Sequence, residues 1–181
     1  MGDERNNLIV LFPGAGYSVD NPLLYYARFK YEVKGYESIK INYGDWIKKD
    51  ITFDEKIEAI KKLVLEQVNE IDFSKYDDIL FVSKSLGTVI SGWLADILAV
   101  NARHIYLTPI EKTLQFLISG KNISIVIAGT KDRFMNIDVL KAHCEQEQIK
   151  LKLIDNAGHS LEIFGNMDIN IDILKQIVEL Y

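Results

Sequence analysis

Short apolar runs alternate with longer segments of helical periodicity along the whole chain. Strands are predicted over residues 8–12, 39–43, 79–82, 105–107, 123–128 and 149–153. The first, third and fifth of these are almost continuously apolar, which is typical of central strands covered on both faces. The second and sixth alternate apolar and polar residues, which favours half-exposed strands at the two edges of a sheet.

Helices are predicted between these strands from capping signals and apolar spacing. Asn21 before Pro22 indicates a helix start with Asn as the N-cap. Thr52 and Glu55 form a capping box. The helix behind it should bury an apolar face made of Phe53, Ile57, Ile60, Val64, Val68 and Ile71. Further helices are predicted over 86–100, 111–118 and 137–146, and in a last segment that ends at Tyr181.

This alternation predicts an α/β fold, a three-layer α/β/α sandwich around a six-stranded parallel sheet. Its 181 residues are enough for one domain, expected to cover 1–181. Edge positions for the second and sixth strands give the order 2-1-3-4-5-6. The winding then reverses between the first and third strands, and ligands of such sheets bind at the carboxyl ends of the strands near that reversal.

The third strand runs into the sequence FVSKSLGT, where Ser85 lies in a predicted tight turn between strand and helix. A nucleophilic serine on such a turn needs small residues two positions before and after it, here Ser83 and Gly87. Glycine is usual at the first of these positions. The motif alone is weak evidence, but its place between a buried strand and a helix predicts Ser85 as a nucleophile.

A serine hydroxyl needs a base, and the chain has three histidines from which to choose. His104 precedes the fourth strand, at the wrong end of the sheet, and His143 lies within a predicted helix. His159 follows the sixth strand at the same end as Ser85 and is therefore the predicted base. Asp132, after the fifth strand, is the predicted acid, with Glu111 after the fourth strand as its competitor.

Two backbone N–H groups are predicted to stabilise an oxyanion. One belongs to Leu86, at the start of a helix, and the other to Ala15 in a Gly-rich turn, with Gly16 as the next choice. Residues expected to line a substrate site follow the carboxyl ends of strands: Gly16, Tyr17, Trp46, Lys84, Pro109 and Phe134. Lys84 beside the predicted nucleophile suggests an anionic substrate, but a solvated lysine is the favoured interpretation. The sequence contains no dinucleotide fingerprint, P-loop or metal spacing, so neither a cofactor nor a metal is expected.

Charge and hydropathy narrow the expected partners. Lys and Arg number 21 against 26 Asp and Glu, and the net charge of −5 argues against nucleic acid. No apolar run is long enough for a signal sequence or a membrane span, so no membrane association and a cytoplasmic location are expected. The single cysteine, Cys144, excludes an internal disulfide.

Together these motifs resemble the α/β-hydrolase superfamily. The resemblance is carried by FPGAGYS (12–18), SKSLG (83–87), GTKD (129–132) and GHS (158–160), and it extends from the first strand to the last helix. It implies Ser85 as nucleophile, His159 as base, Asp132 as acid, and Ala15 and Leu86 as oxyanion donors. The chain is similar to small esterase-like and dienelactone-hydrolase-like proteins without a cap domain. It departs from the pattern at Ser83 and at Pro13-Gly14, where Gly and His-Gly are usual.

The predicted activity is therefore that of a serine hydrolase that cleaves a carboxylic ester or a thioester of a small acyl substrate through an acyl-enzyme. Amide cleavage and acyl transfer to another acceptor stay open, and so do the acyl group and the oligomeric state. The alternative is a non-catalytic binding protein that retains the fold.

Overall fold

The computed structural model describes residues 6–45 and 50–181. Its centre is a parallel sheet with the strand order β2-β1-β3-β4-β5-β6, which confirms the predicted order. The strands are β1 (Asn7–Phe12), β2 (Tyr36–Lys40), β3 (Asp78–Lys84), β4 (Arg103–Leu107), β5 (Ile123–Gly129) and β6 (Leu151–Ile154).

Helices cover both faces of the sheet, as expected for this α/β class. The five α-helices are α1 (Pro22–Glu32), α2 (Phe53–Val68), α3 (Leu86–Ile97), α4 (Ile137–Gln146) and α5 (Met167–Glu179). Short 3₁₀ helices span Phe73–Lys75 and Glu111–Phe116. The core on one face joins the sheet to α1 and α5, and the cores on the other face join it to α2, α3 and α4. Across residues 6–45 and 50–181, none of the helices combines the length and the apolar character needed to cross a membrane.

The central strands are buried on both faces because successive side chains point to opposite sides of the sheet. In β1, Leu8, Val10 and Phe12 pack toward α2 and α3, while Ile9 and Leu11 pack toward α1 and α5. The edge strands β2 and β6 are only partly buried. The alternating polarity of the second and sixth runs thus predicted both edge strands correctly.

Both edge strands differ from their predicted bounds. β2 ends at Lys40 rather than at residue 43, because Lys40 pairs with Leu11 and β1 itself ends one residue later. Ile41 still donates its N–H to the carbonyl oxygen of Leu11 at 3.0 Å and is buried beyond the strand. At the other edge, β6 begins at Leu151, two residues later than expected. The alternating pattern therefore identified both edge strands but not the residues at which their pairing begins and ends.

The beginnings of α1 and α2 are capped in different ways. Asn21 is the N-cap of α1, but its side chain accepts hydrogen bonds from Ser18, whereas the hydroxyl of Tyr17 accepts the N–H of Leu23 at 2.9 Å. The capping box of Thr52 and Glu55 is present at α2. On α2, Phe53 is 43% exposed, and the helix ends before Ile71, so these two residues do not belong to its buried face.

Candidate active site

Ser85 occupies a sharp turn between β3 and α3. Its backbone has φ 54° and ψ −119°, in the region that non-glycine residues rarely adopt. A Cβ atom on Gly87 would lie 2.4 Å from the carbonyl oxygen of Phe12 and 2.6 Å from that of Pro13. The turn can therefore pass this close to the end of β1 only with glycine at position 87.

Ser83 fits the turn although it stands where glycine is usual. It belongs to β3, is fully buried, and pairs with Phe12 on one side and Tyr106 on the other. Its hydroxyl faces the carbonyl oxygen of Ile105 at 3.5 Å. The positive φ falls on Ser85 and not on Ser83. A small side chain, rather than glycine itself, is thus sufficient at this position.

Replacing Gly87 by alanine tests this close approach. We expect Gly87→Ala to lower the free energy of unfolding by about 3 kcal/mol, because the added methyl group meets backbone atoms that cannot rotate away. Gly16→Ala is the matched control, since nothing lies within 4 Å of a Cβ there. Urea unfolding followed by circular dichroism measures both changes. Equal midpoints for the two variants would contradict the role assigned to Gly87.

His159 links Ser85 to Asp132 by two hydrogen bonds. Its Nε2 lies 2.7 Å from Oγ of Ser85, and its Nδ1 lies 2.8 Å from Oδ2 of Asp132. The Asp132 side chain is fully buried, and its Oδ1 accepts the N–H of Phe134 at 2.8 Å. With the carboxylate accepting a hydrogen bond from the Nδ1–H of His159, Nε2 is left to accept a hydrogen bond from the Ser85 hydroxyl.

The loops that carry Asp132 and His159 are joined directly to each other. A Cβ on Gly129 would lie 2.2 Å from the carbonyl oxygen of Ala157, so the two loops touch through their backbones. The same carbonyl accepts the N–H of Lys131 at 2.9 Å, and Thr130 Oγ1 accepts the N–H of Asn156 at 2.8 Å. The separation of acid and base is thereby set by backbone contacts at the ends of β5 and β6.

The competing residues lie elsewhere. Glu111 starts a 3₁₀ helix at the rim of the cavity, and Asp132, not Glu111, is hydrogen-bonded to His159. His104 lies near the beginning of β4, where burial lowers its pKa to about 4. His143 is on α4 and contacts the carbonyl oxygen of Leu117 at 2.6 Å. Elimination from the sequence thus selected the histidine that the structure brings to Ser85.

The two expected oxyanion donors face the same cavity as Ser85. Ala15 and Gly16 form the tip of a tight turn closed by hydrogen bonds between Gly14 and Tyr17. Leu86 is the first residue of α3. Within the described ranges, no acceptor takes up the backbone N–H of Ala15, Gly16 or Leu86. These groups are therefore open to a ligand oxygen.

A cavity of about 630 Å³ opens above Ser85. Gly16, Tyr17, Lys84 and Phe134 line it, as expected from the sequence, whereas Pro109 is buried outside the lining and Trp46 lies outside the described residues. Residues that the sequence did not suggest also line it: Gly14, Phe53, Ile110, Lys112 and Ser160. Ile110 follows a strand end and could have been found by that rule, but Phe53 had been assigned to the buried face of α2.

Lys84 is not a solvated lysine. It is 2% exposed, and its Nζ donates to Oγ1 of Thr108 at 2.5 Å and to the carbonyl oxygen of His159 at 2.7 Å. Burial lowers its pKa to about 8, although the nearby carboxylates of Asp132 and Glu162 act in the opposite direction. Its ammonium group is therefore engaged inside the protein and is not free to bind a substrate anion.

The thiol of Cys144 and possible metal-binding clusters were the other reactive groups to consider. Cys144 is 1% exposed on α4, and burial raises its pKa to about 11, so its thiol stays protonated at neutral pH. Across 6–45 and 50–181, no group of three or more His, Cys, Asp and Glu side chains is placed to hold a metal ion.

Comparisons with solved structures agree on one fold. An α/β serine hydrolase homologue from Coxiella burnetii is 17% identical, with a TM-score of 0.63 over 99% of this chain and 86% of that one. Est1E from Butyrivibrio proteoclasticus, solved with ferulic acid, is 13% identical, with a TM-score of 0.64 over 99% and 91% of the two chains. Esterase 2 from Thermogutta terrifontis, solved after phosphorylation by paraoxon, is 16% identical, with a TM-score of 0.63 over 97% and 80%.

Neither the protein-family models nor the curated proteins include a sequence match to this chain. At 13–17% identity the structural likeness establishes the fold and nothing finer. Strand order, the turn at Ser85 and these comparisons agree. The chain therefore has the α/β-hydrolase fold, in a small form without a cap domain in residues 6–45 and 50–181.

Proposed function

We propose that this protein is a serine hydrolase that cleaves a carboxylic ester or thioester through an acyl-enzyme on Ser85. The observation that carries the proposal is the continuous hydrogen-bond chain from Ser85 through His159 to the buried carboxylate of Asp132. Such a chain supplies a nucleophile, a base and a group that orients the base.

In acylation, Ser85 Oγ attacks the carbonyl carbon while its proton moves to Nε2 of His159. Asp132 holds the imidazole by its Nδ1–H and stabilises the imidazolium that forms. The negative charge that develops on the carbonyl oxygen is stabilised by the N–H groups of Leu86 and Ala15. As the tetrahedral intermediate collapses, the bond to the leaving alcohol or thiol breaks, and that group takes the proton from Nε2.

Deacylation repeats these steps with water in place of the serine hydroxyl. His159 takes a proton from the water, and the resulting hydroxide attacks the acyl carbonyl carbon. The bond to Ser85 Oγ then breaks, and the proton on His159 returns to that oxygen. The acid product leaves with the oxygen of the water, and the enzyme is restored.

The cavity indicates an apolar acyl group. Its apolar lining residues include Leu86, Ile110, Phe53 and Phe134. Of the lysines that line it, Lys84 is engaged by Thr108 and His159, and Lys112 pairs with Asp54 at 2.8 Å. Apolar walls favour burial of hydrocarbon, at about 0.8 kcal/mol per methylene group. We therefore assign the substrate to esters or thioesters whose acyl part is aliphatic or aromatic rather than charged.

A series of p-nitrophenyl esters tests the activity and the substrate class together. We expect hydrolysis, with kcat/KM rising by roughly fourfold per methylene group from acetate to hexanoate, because each added group is buried. A parallel series of acyl thioesters decides which leaving group is preferred. If no ester and no thioester of the two series is hydrolysed, the proposal is contradicted and a binding protein that retains the fold is favoured.

Phe53 provides the corresponding mutational test. Phe53→Ala should reduce the ratio of kcat/KM for hexanoate to that for acetate by about fivefold, because it removes apolar wall and leaves Ser85, His159 and Asp132 unchanged. Phe164→Ala is the matched control, since that ring is fully exposed and lies outside the cavity lining. An unchanged ratio in Phe53→Ala would show that the acyl chain lies elsewhere.

A further inference from the structure

The ammonium group of Lys84 joins the ends of three strands beneath the candidate active site. Lys84 is the last residue of β3, its acceptor Thr108 follows β4, and its other acceptor is the backbone carbonyl of His159 after β6. The centroid of the Tyr17 ring lies 5.2 Å from Nζ, within the range of a cation–π contact. Two hydrogen bonds and this aromatic ring thus surround the buried ammonium group.

Thr108 adopts a strained conformation at this junction. Its φ is 44°, in the left-handed region that a β-branched residue rarely occupies, and it is fully buried. Its N–H donates to the carbonyl oxygen of Ile127 at 2.7 Å, and its hydroxyl meets Lys84. Strain of this kind persists where the surroundings hold it, and it concentrates at functional sites.

We propose that Lys84 is a positioning residue, whose ammonium group holds the backbone of His159 so that the imidazole stays aligned between Ser85 and Asp132. The inference rests on the proposed hydrolase activity and deepens it. The hydrogen bonds with Ser85 and Asp132 hold the imidazole ring of His159. The hydrogen bond from Lys84 holds its backbone carbonyl group. An apolar side chain at position 84 would leave the His159 carbonyl without this donor.

The charges around Lys84 give this role a dependence on pH. Asp132 and Glu162 are the carboxylates that act on it, and Tyr17, whose pKa burial raises to about 12, stays neutral where Lys84 titrates. Because the pKa of Lys84 lies at about 8 in the folded protein, the ammonium is present below that pH and is lost above it. The neutral amine is a weaker donor to His159 and carries no charge toward Asp132. Activity should therefore decline as the pH rises through this range.

Lys84→Met tests the proposal through kinetics as a function of pH. We expect kcat to fall by about 100-fold with little change in KM, because misalignment of a catalytic base affects the reacting geometry rather than binding. The alkaline decline of the wild type should disappear. Lys131→Met is the matched control, since that lysine is exposed beside Asp132 and should keep both rate and pH profile.

Thr108→Val removes the other acceptor with almost no change in shape. It should lower kcat less than Lys84→Met does and move the alkaline midpoint to lower pH, because the ammonium loses a hydrogen bond. In the double variant, Thr108→Val should have no further effect, as expected for two residues that act through one contact. If Lys84→Met does not fold, the pH profile of Thr108→Val is the test. An alkaline midpoint at the same pH as in the wild type would then overturn the proposal.

Hydrogen exchange separates this inference from the proposed activity. The amides of Gly158 and Leu161 are hydrogen-bonded within the His159 loop, and they should exchange faster in Lys84→Met than in Lys131→Met. If the wild-type protein hydrolyses no ester, the proposed activity is wrong. Hydrogen exchange would still test whether Lys84 holds the backbone of His159 in place. A Lys84→Met variant with wild-type kcat, pH profile and exchange would overturn the inference and leave the hydrolase proposal intact.

Discussion

Ser85→Ala is expected to lower kcat for ester hydrolysis by about 10⁵- to 10⁶-fold, the largest effect that a single substitution in this protein should produce. The variant retains the backbone of the turn but lacks the oxygen that forms the acyl-enzyme. Substrate binding should change little, because the apolar walls of the cavity stay in place. Steady-state kinetics with p-nitrophenyl hexanoate measures the loss.

Ser83→Ala is the matched control for this substitution. Ser83 belongs to the same pentapeptide, but its hydroxyl makes one long contact inside the sheet and does not reach His159. This variant should keep most of the wild-type rate. A comparable loss in both variants would indicate damage to the turn rather than removal of a nucleophile.

Asp132→Asn should produce the second largest effect, a decrease in kcat of about 10⁴-fold at neutral pH. An amide in place of the carboxylate can donate to Nδ1 of His159, which places the imidazole proton on Nε2, facing Ser85. The base is then unable to accept the serine proton. The fall in kcat should be accompanied by little change in the circular dichroism spectrum, since the substitution is nearly isosteric.

Glu111→Gln completes this experiment. Glu111 lies at the rim of the cavity, and the Nδ1–H of His159 donates to the carboxylate of Asp132 instead. We expect this variant to retain activity close to that of the wild type. If Glu111→Gln abolished turnover and Asp132→Asn did not, the acid would have been assigned to the wrong residue.

The residues that meet at Ser85 could be selected from the sequence because few alternatives existed. Three histidines and the rule that ligands bind at carboxyl ends of parallel strands were sufficient to choose His159. Asp132 and Glu111 both follow strand ends, so the sequence favoured Asp132 as the acid but left Glu111 as a competitor. The structure distinguishes them, because the contact of Gly129 with Ala157 brings the Asp132 loop against the His159 loop.

The setting of Lys84 could not be predicted in the same way. A lysine beside a reactive serine is exposed by default, and its burial depends on Thr108, Tyr17 and the His159 loop, which come from distant parts of the chain. The left-handed φ of Thr108 could not be predicted either, because a threonine rarely adopts this conformation. Local patterns therefore located the site, while the support beneath it required the tertiary structure.

The exposure of Phe53 has a similar origin. Its spacing matches the buried positions of α2, yet Phe53 is the first residue of that helix, is 43% exposed and lines the cavity. Apolar periodicity identifies the side of a helix that faces the core, but it does not show whether the residues at the end of the helix are covered by neighbours. Much of the apolar wall proposed for the acyl group was consequently found from the structure.

Covalent labelling by a fluorophosphonate is the most direct test of the central claim that Ser85 is an activated nucleophile. Ser85 Oγ would form a bond to phosphorus as fluoride leaves, and mass spectrometry of the digested protein would locate the adduct. The account predicts one adduct, on Ser85, absent from Ser85→Ala and strongly reduced in Asp132→Asn. An unlabelled wild-type protein, or equal labelling of Ser85→Ala, would contradict it.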